Sequence, residues 1–230
     1  MTRHHAGRRR FVLVLFILIS AAVLPAQDIL TANEFFANVA ANYAGIEDYV
    51  AEMVWSDNSG EMRGSLLYKS PNMIRIDFTQ PARQVFVSNG EILQIYVPAF
   101  EVVFQQELPN PTDAPGALAS EEGLALMRRN YSVAYLEGPE PAPIDEGSQL
   151  LVTKLRLDRR SASEGFRQIV LSIDANGFIR RMEGTSAAWD TVTMDLSGIR
   201  INQGISDRVF EEDPAPTASV TDDFLTDPEG

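Results

Sequence analysis

From Asp48 onward one pattern dominates the chain: short runs in which apolar residues return at every second position, each closed by a few turn-forming residues. A period of two is what a strand shows when one face is buried. Residues 49–55, 62–69, 73–79, 84–88, 92–97 and 102–106 read this way, with Asn58-Ser59-Gly60, Ser70-Pro71-Asn72, Thr79-Gln80-Pro81 and Ser88-Asn89-Gly90 between them. Connections this short join antiparallel neighbours. The pattern returns at 131–136, 150–157, 166–173, 178–183 and 191–196, so about ten strands are expected.

Little of the chain reads as helix. Thr31-Ala32-Asn33-Glu34 fits a capping box, and Phe35, Phe36, Val39, Ala40 and Tyr43 then recur at helical spacing up to Gly45. Residues 108–120 carry Pro109, Pro111 and Pro115 and exclude regular structure, whereas 121–130 place Leu124, Leu126 and Met127 on a short helix. The segment 108–130 is therefore a loop with a small apolar helix, the shape of a lid. A second Pro-rich spacer spans 137–143. The expected fold is mainly β with a few helices, a curved antiparallel sheet over the N-terminal helix with an inner face only partly filled, and such a sheet is a natural container for a lipid.

Chemistry is limited by what the sequence lacks. It has no cysteine, and its two histidines, His4 and His5, precede an apolar run (11–24) that follows Arg8-Arg9-Arg10 and leads to Pro25-Ala26. This is the layout of a secretory signal peptide cut after Ala26, which places the remainder in the periplasm. Without residues 1–26 the chain has no Cys and no His, which excludes disulfides, Cys/His metal sites and nucleophiles activated by His. No cofactor, metal or catalytic residue is expected, and the protein is read as a non-enzyme. Losing four arginines moves the formal charge from −13 to −17, which disfavours nucleic acid and anionic membranes. Asp174-Ala175-Asn176-Gly177 lacks the further ligands of a calcium loop and reads as a hairpin turn. Glu121-Glu122 suits a helix start. Residues 215–230 are acidic, poor in apolar side chains and expected to be mobile.

The apolar alternation supplies the candidate site. Met53 and Trp55 share a face, as do Leu66 and Tyr68, then Ile74, Ile76 and Phe78, then Leu93 and Ile95. Together they are expected to line an apolar cavity roofed by Leu124, Leu126 and Met127.

The stretch 64–98 carries a resemblance. A strand from Gly64 leads to Lys69-Ser70-Pro71-Asn72, a short strand to Phe78, the turn Gln80-Pro81, the hairpin Ser88-Asn89-Gly90, and a strand ending Tyr96-Val97-Pro98. In order and spacing it resembles the periplasmic outer-membrane lipoprotein carrier family, LolA, and residues 166–177 are similar to that family's later strand and Asp-x-x-Gly turn. The resemblance implies an open half-barrel over a helix, occupying 27–214, with an apolar cavity for acyl chains. It also implies a monomer that takes lipoproteins from an inner-membrane ABC exporter to an outer-membrane acceptor. In the family an Arg before the Pro ties the lid shut; here Ser70 holds that position. A second reading is a periplasmic lipid-binding or sensor module whose output is a protein contact.

Overall fold

The computed structural model describes residues 30–108 and 120–222. The expected signal peptide, the Pro-rich part of the lid loop and the last eight residues lie outside these. Helix α1 (Ala32–Ala44) starts where the capping box places it. Thr31 accepts the Glu34 N–H (3.3 Å), the Glu34 carboxylate accepts the Thr31 N–H (2.9 Å), and Gly45 is the C-cap. Helix α2 (Glu121–Asn130) has Ser120 as N-cap, accepting from Gly123 N (3.0 Å), with Glu121 and Glu122 in its first turn.

Thirteen strands form one sheet, where the sequence suggests about ten. They are β1 (Asp48–Asp57), β2 (Gly60–Lys69), β3 (Met73–Gln80), β4 (Val85–Ser88), β5 (Ile92–Val97), β6 (Val102–Glu107), β7 (Tyr131–Tyr135), β8 (Ala142–Pro143), β9 (Leu151–Arg159), β10 (Phe166–Asp174), β11 (Ile179–Ser186), β12 (Thr191–Ile201) and β13 (Ser219–Asp222). The spatial order is β13-β6-β5-β4-β3-β2-β1-β12-β11-β10-β9-β7, with β8 beside β9. Two runs of hairpins, β1 to β6 and β9 to β12, are joined by the antiparallel β1–β12 pair, and the curved sheet does not close. The unexpected strands are β8, in the Pro-rich spacer, and β13, inside the segment read as a mobile tail. β13 lies parallel to β6.

The inner face carries the main core. Phe36, Val39, Ala40 and Tyr43 of α1 and Leu124 and Met127 of α2 are buried in one cluster with Tyr49, Met53, Leu66, Tyr68 and Ile74 from one half of the sheet and Leu155, Leu157, Leu171 and Ile179 from the other. Tyr43 Oη accepts the Ile179 N–H (3.1 Å), pinning the end of α1 to β11. Gly64 permits close approach of β2 and β3, for a Cβ there would lie 2.5 Å from the Asp77 carbonyl oxygen.

The outer face has a smaller core of its own. After β12 the chain crosses to the outside of β2–β5 and drives Phe210, 1% exposed, against Val85 and Val87, with Leu67, Met73 and Tyr96 around it. The crossing is organised by Asp48, a buried carboxylate that accepts the N–H groups of Gln203 (2.6 Å), Gly204 (2.9 Å) and Ile205 (3.0 Å). Lys69 Nζ donates to Ile205 O (2.7 Å) and pairs with Asp207, while Arg75 Nη1 donates to Val209 O (3.1 Å) and pairs with Glu212 (2.8 Å). At the β10–β11 turn, Asp174 Oδ1 accepts from Asn176 N (2.9 Å) and Phe178 N (3.0 Å), and Gly177 takes φ +79°. That carboxylate organises its own hairpin, and no group of three or more metal-ligating side chains occurs among the described residues.

Candidate functional site

Strand register fixes which side chains share the inner face. One row runs Ala51–Leu66–Ile76–Phe86–Ile95–Phe104 across β1 to β6, each residue directly opposite the next. The neighbouring row toward the β1–β2 turn is Met53–Gly64–Phe78, and beyond it Trp55 stands between Met62 and Met194. A row on the other side runs Tyr49–Tyr68–Ile74–Ser88–Leu93–Gln106. All nine expected lining residues therefore face inward.

They divide into two groups. Met53, Leu66, Tyr68, Ile74 and Leu93 are buried, the first four in the cluster that α1 and α2 cover. Trp55, Ile76, Phe78 and Ile95 remain partly exposed, and so do Met62, Phe86, Phe104 and Met194. The helices fill one half of the inner face and leave the half over β3–β6 as a band of large apolar side chains in partial contact with water. Sequence reasoning missed Phe86 and Phe104. Their signal was present in the alternation of 84–88 and 102–106, but it takes hairpin register to place them beside Ile76 and Ile95.

Of the expected roof, Leu124 and Met127 are buried and Leu126 is half-buried. Ser70 is exposed in the β2–β3 turn, and its N–H donates to Glu47 O (2.8 Å). Lys69 points outward, as alternation requires. The residue that reaches α2 from this turn is Tyr68. Its hydroxyl donates to Pro71 O (2.9 Å) and lies close to the side chains of Ser70 and of Ser120, the α2 N-cap. Burial, and then the nearby Glu122 carboxylate, push this phenol up to about 12. Glu122 Oε2 is itself buried without a hydrogen-bond partner. The approach of α2 to the β2–β3 turn thus includes polar groups, one of them without a partner.

A concavity of about 430 Å³ lies at the other half of the inner face, between α1 and the ends of β9 and β10, lined by Phe35, Val39, Pro139, Pro141, Thr153 and Ile173 among others. It is not where the sequence places a cavity. Among the described residues no helix is long and apolar enough to cross a membrane.

The site is thus an open, mostly antiparallel sheet with internal helices and an apolar inner face that the helices cover only in part. The sequence model of the outer membrane lipoprotein carrier protein LolA matches residues 53–213, and the chain belongs to that family. No curated protein sequence matches it. Among solved structures it is similar to an uncharacterised conserved protein from Thermus thermophilus, at 12% identity over 83% of this chain and 98% of that one, with a TM-score of 0.54. Two others are an outer membrane lipoprotein-sorting protein domain from Vibrio parahaemolyticus (14% identity, 78% and 96% covered, TM-score 0.43) and MucB in the Pseudomonas aeruginosa MucA/MucB complex (11%, 79% and 61%, 0.47). At such identities the Thermus likeness speaks to the fold alone.

Proposed function

We propose that this protein is a periplasmic carrier that shields the acyl chains of lipoproteins on the inner face of its sheet during passage from inner to outer membrane. One observation carries the reading: in a member of this family, the row Ile76–Phe86–Ile95–Phe104, flanked by Trp55 and Phe78, is left only partly covered. Large apolar side chains held in contact with water retain transfer free energy that an acyl chain can release, roughly 0.8 kcal/mol per buried CH₂. Residues 1–26 act as an export signal, and 27–214 form the carrier domain.

Met53, Leu66, Tyr68 and Ile74 form the floor under α1 and α2 and meet cargo only when α2 lifts, and Leu93 extends that floor on β5. Leu124, Leu126 and Met127 move with it, and the Ser70 turn, through Tyr68, is the point of release. A carrier needs such a covered state, because several acyl chains bound at full transfer energy could not be handed on. An inner-membrane ABC exporter as donor and an outer-membrane acceptor complete the path.

The test is binding of a synthetic triacylated lipopeptide to the parent and to Phe78→Glu, with mass spectrometry of what co-purifies from the periplasm. Placing a carboxylate among the acyl chains costs several kcal/mol, so affinity falls by at least about a hundredfold in a folded variant. Equal affinity in parent and variant overturns this use of the inner face. A stable protein partner without handover of cargo points instead to a sensor module.

A further inference from the structure

The negative total charge hides a basic corner. Arg128 and Arg129 end α2, Arg159 and Arg160 lie where β9 turns toward β10, and Arg167 stands at the start of β10. Direct contacts join these segments. Arg160 N donates to Asn130 O (2.9 Å) and Arg160 Nε to Tyr131 O (3.1 Å), which holds the turn against the end of α2. Arg167 places its guanidinium 3.5 Å from the ring centroid of Trp189, in the β11–β12 turn. None of the five arginines forms an ion pair among the described residues. Seven of the other ten basic residues after residue 26 do: Arg63, Lys69, Arg75, Lys154, Arg156, Arg180 and Arg181. Arg83, Arg200 and Arg208 lie elsewhere. The acidic side chains near the corner are few: Asp158 is paired with Arg156, which leaves Glu164 and Asp190, the latter accepting from Asn58, against five arginines.

Trp189 supplies the second observation. It is 72% exposed and sits at φ +73°, a backbone conformation ordinarily left to Gly or Asn. A tryptophan held out into water at a turn tip, beneath an arginine, combines the two side-chain types that favour the headgroup layer of a bilayer. The indole partitions into the interface, and guanidinium groups match phosphate geometry. Arg128 and Arg129 also complement the α2 dipole, and Arg159 holds backbone carbonyls of its own loop, yet neither role requires the exposed indole.

We infer that this surface, with Arg128, Arg129, Arg159 and Arg160 at the α2–β9 end and Arg167 with Trp189 beside it, docks the protein on the surface of an anionic phospholipid bilayer. The overall charge does not forbid this, because charges more than about 10 Å away are largely screened at physiological salt. The inference does not depend on what the inner face carries.

The test is co-sedimentation with phosphatidylcholine vesicles, with and without about a third phosphatidylglycerol, at low and physiological salt. Every variant keeps the same N-terminus, so the apolar run at 11–24 contributes equally throughout. The triple variant Arg128→Gln, Arg129→Gln, Arg167→Gln should lose at least about tenfold of its phosphatidylglycerol-dependent binding. The triple variant Arg63→Gln, Arg200→Gln, Arg208→Gln, with the same change in net charge, should lose little. Trp189→Asn, which suits the backbone, should weaken binding to both vesicle types. Equal losses in the two triple variants, or no dependence on phosphatidylglycerol in the parent, overturn the inference; the latter outcome points to an acidic protein segment as the partner.

Discussion

Asp48 is the side chain on which the crossing to the outer face turns. Its carboxylate gathers three consecutive backbone N–H groups, and its own carbonyl accepts Asn202 N (2.7 Å), so it turns the chain from β12 onto the outer face. Hydrogen bonds to a charged acceptor contribute more than neutral ones, and losing the acceptor strands buried donors. Asp48→Ala should therefore cost about 3 kcal/mol, read as a lower urea midpoint, with Asp48→Asn intermediate. The buried phenols give a residue-scale prediction in pH. Burial first, then in Tyr43 the Asp174 charge and in Tyr68 the Glu122 charge, raise both from 10.0 to about 12, and Tyr49 is raised as well. Above pH 10 the unfolded chain releases protons that the native state still holds. Stability is then fully present below pH 10 and falls as pH rises toward 12, on the order of 2 kcal/mol for each of Tyr43 and Tyr68. Ultraviolet titration of the folded protein should show these phenols ionising above the ordinary tyrosine range and returning to it on unfolding; a single transition near pH 10 in the folded protein would contradict it.

At the scale of elements, what could be read in advance was what is local. Thr31 and Glu34 announce α1 within four residues, and Asp174 to Gly177 announce a turn within four. The outer-face strap could not be foreseen, because Phe210 meets Val85 and Val87 across more than 120 residues and nothing in 84–88 distinguishes a valine facing water from one awaiting a cover. β13 has no large apolar side chain except the exposed Val220, and its place comes from the β6 edge rather than from its own sequence. The inner face was legible within each strand, but the division into covered floor and open band depends on where α1 and α2 lie. That placement makes α2 testable. If Tyr68 is the polar tie between the β2–β3 turn and the α2 N-cap, Tyr68→Phe should raise hydrogen exchange across 120–130 and raise apparent lipopeptide affinity several-fold, because less free energy opposes opening. Ser70→Arg should do the reverse if the longer side chain reaches the acceptors around Ser120 and Glu122. Exchange unaltered in both variants would remove this turn from the gating of the lid.

For the molecule as a whole, the consequence of an unclosed sheet is that it has two ends. An exposed edge strand presents unpaired N–H and C=O groups that can recruit another chain. At one end β7 is five residues long and sits against both helices. At the other, the six-residue β6 would be the edge, and β13 lies along it instead: Ser219 N donates to Glu101 O (2.8 Å), and Gln105 Nε2 reaches Asp222 Oδ1 (3.3 Å). All four side chains of β13 are exposed, so it adds little to the core. What it adds is a short, acid-tipped margin that another strand cannot easily extend. Removing residues 215–230 should therefore leave stability within about 1 kcal/mol of the parent, since none of the described residues 215–222 is a buried apolar side chain. It should nonetheless make the chain self-associate more than the parent as concentration rises, through pairing at β6. Light scattering coupled to size exclusion separates the two effects. A shortened chain that remains monomeric wherever the parent does would show that the twist of β6, not β13, protects this edge.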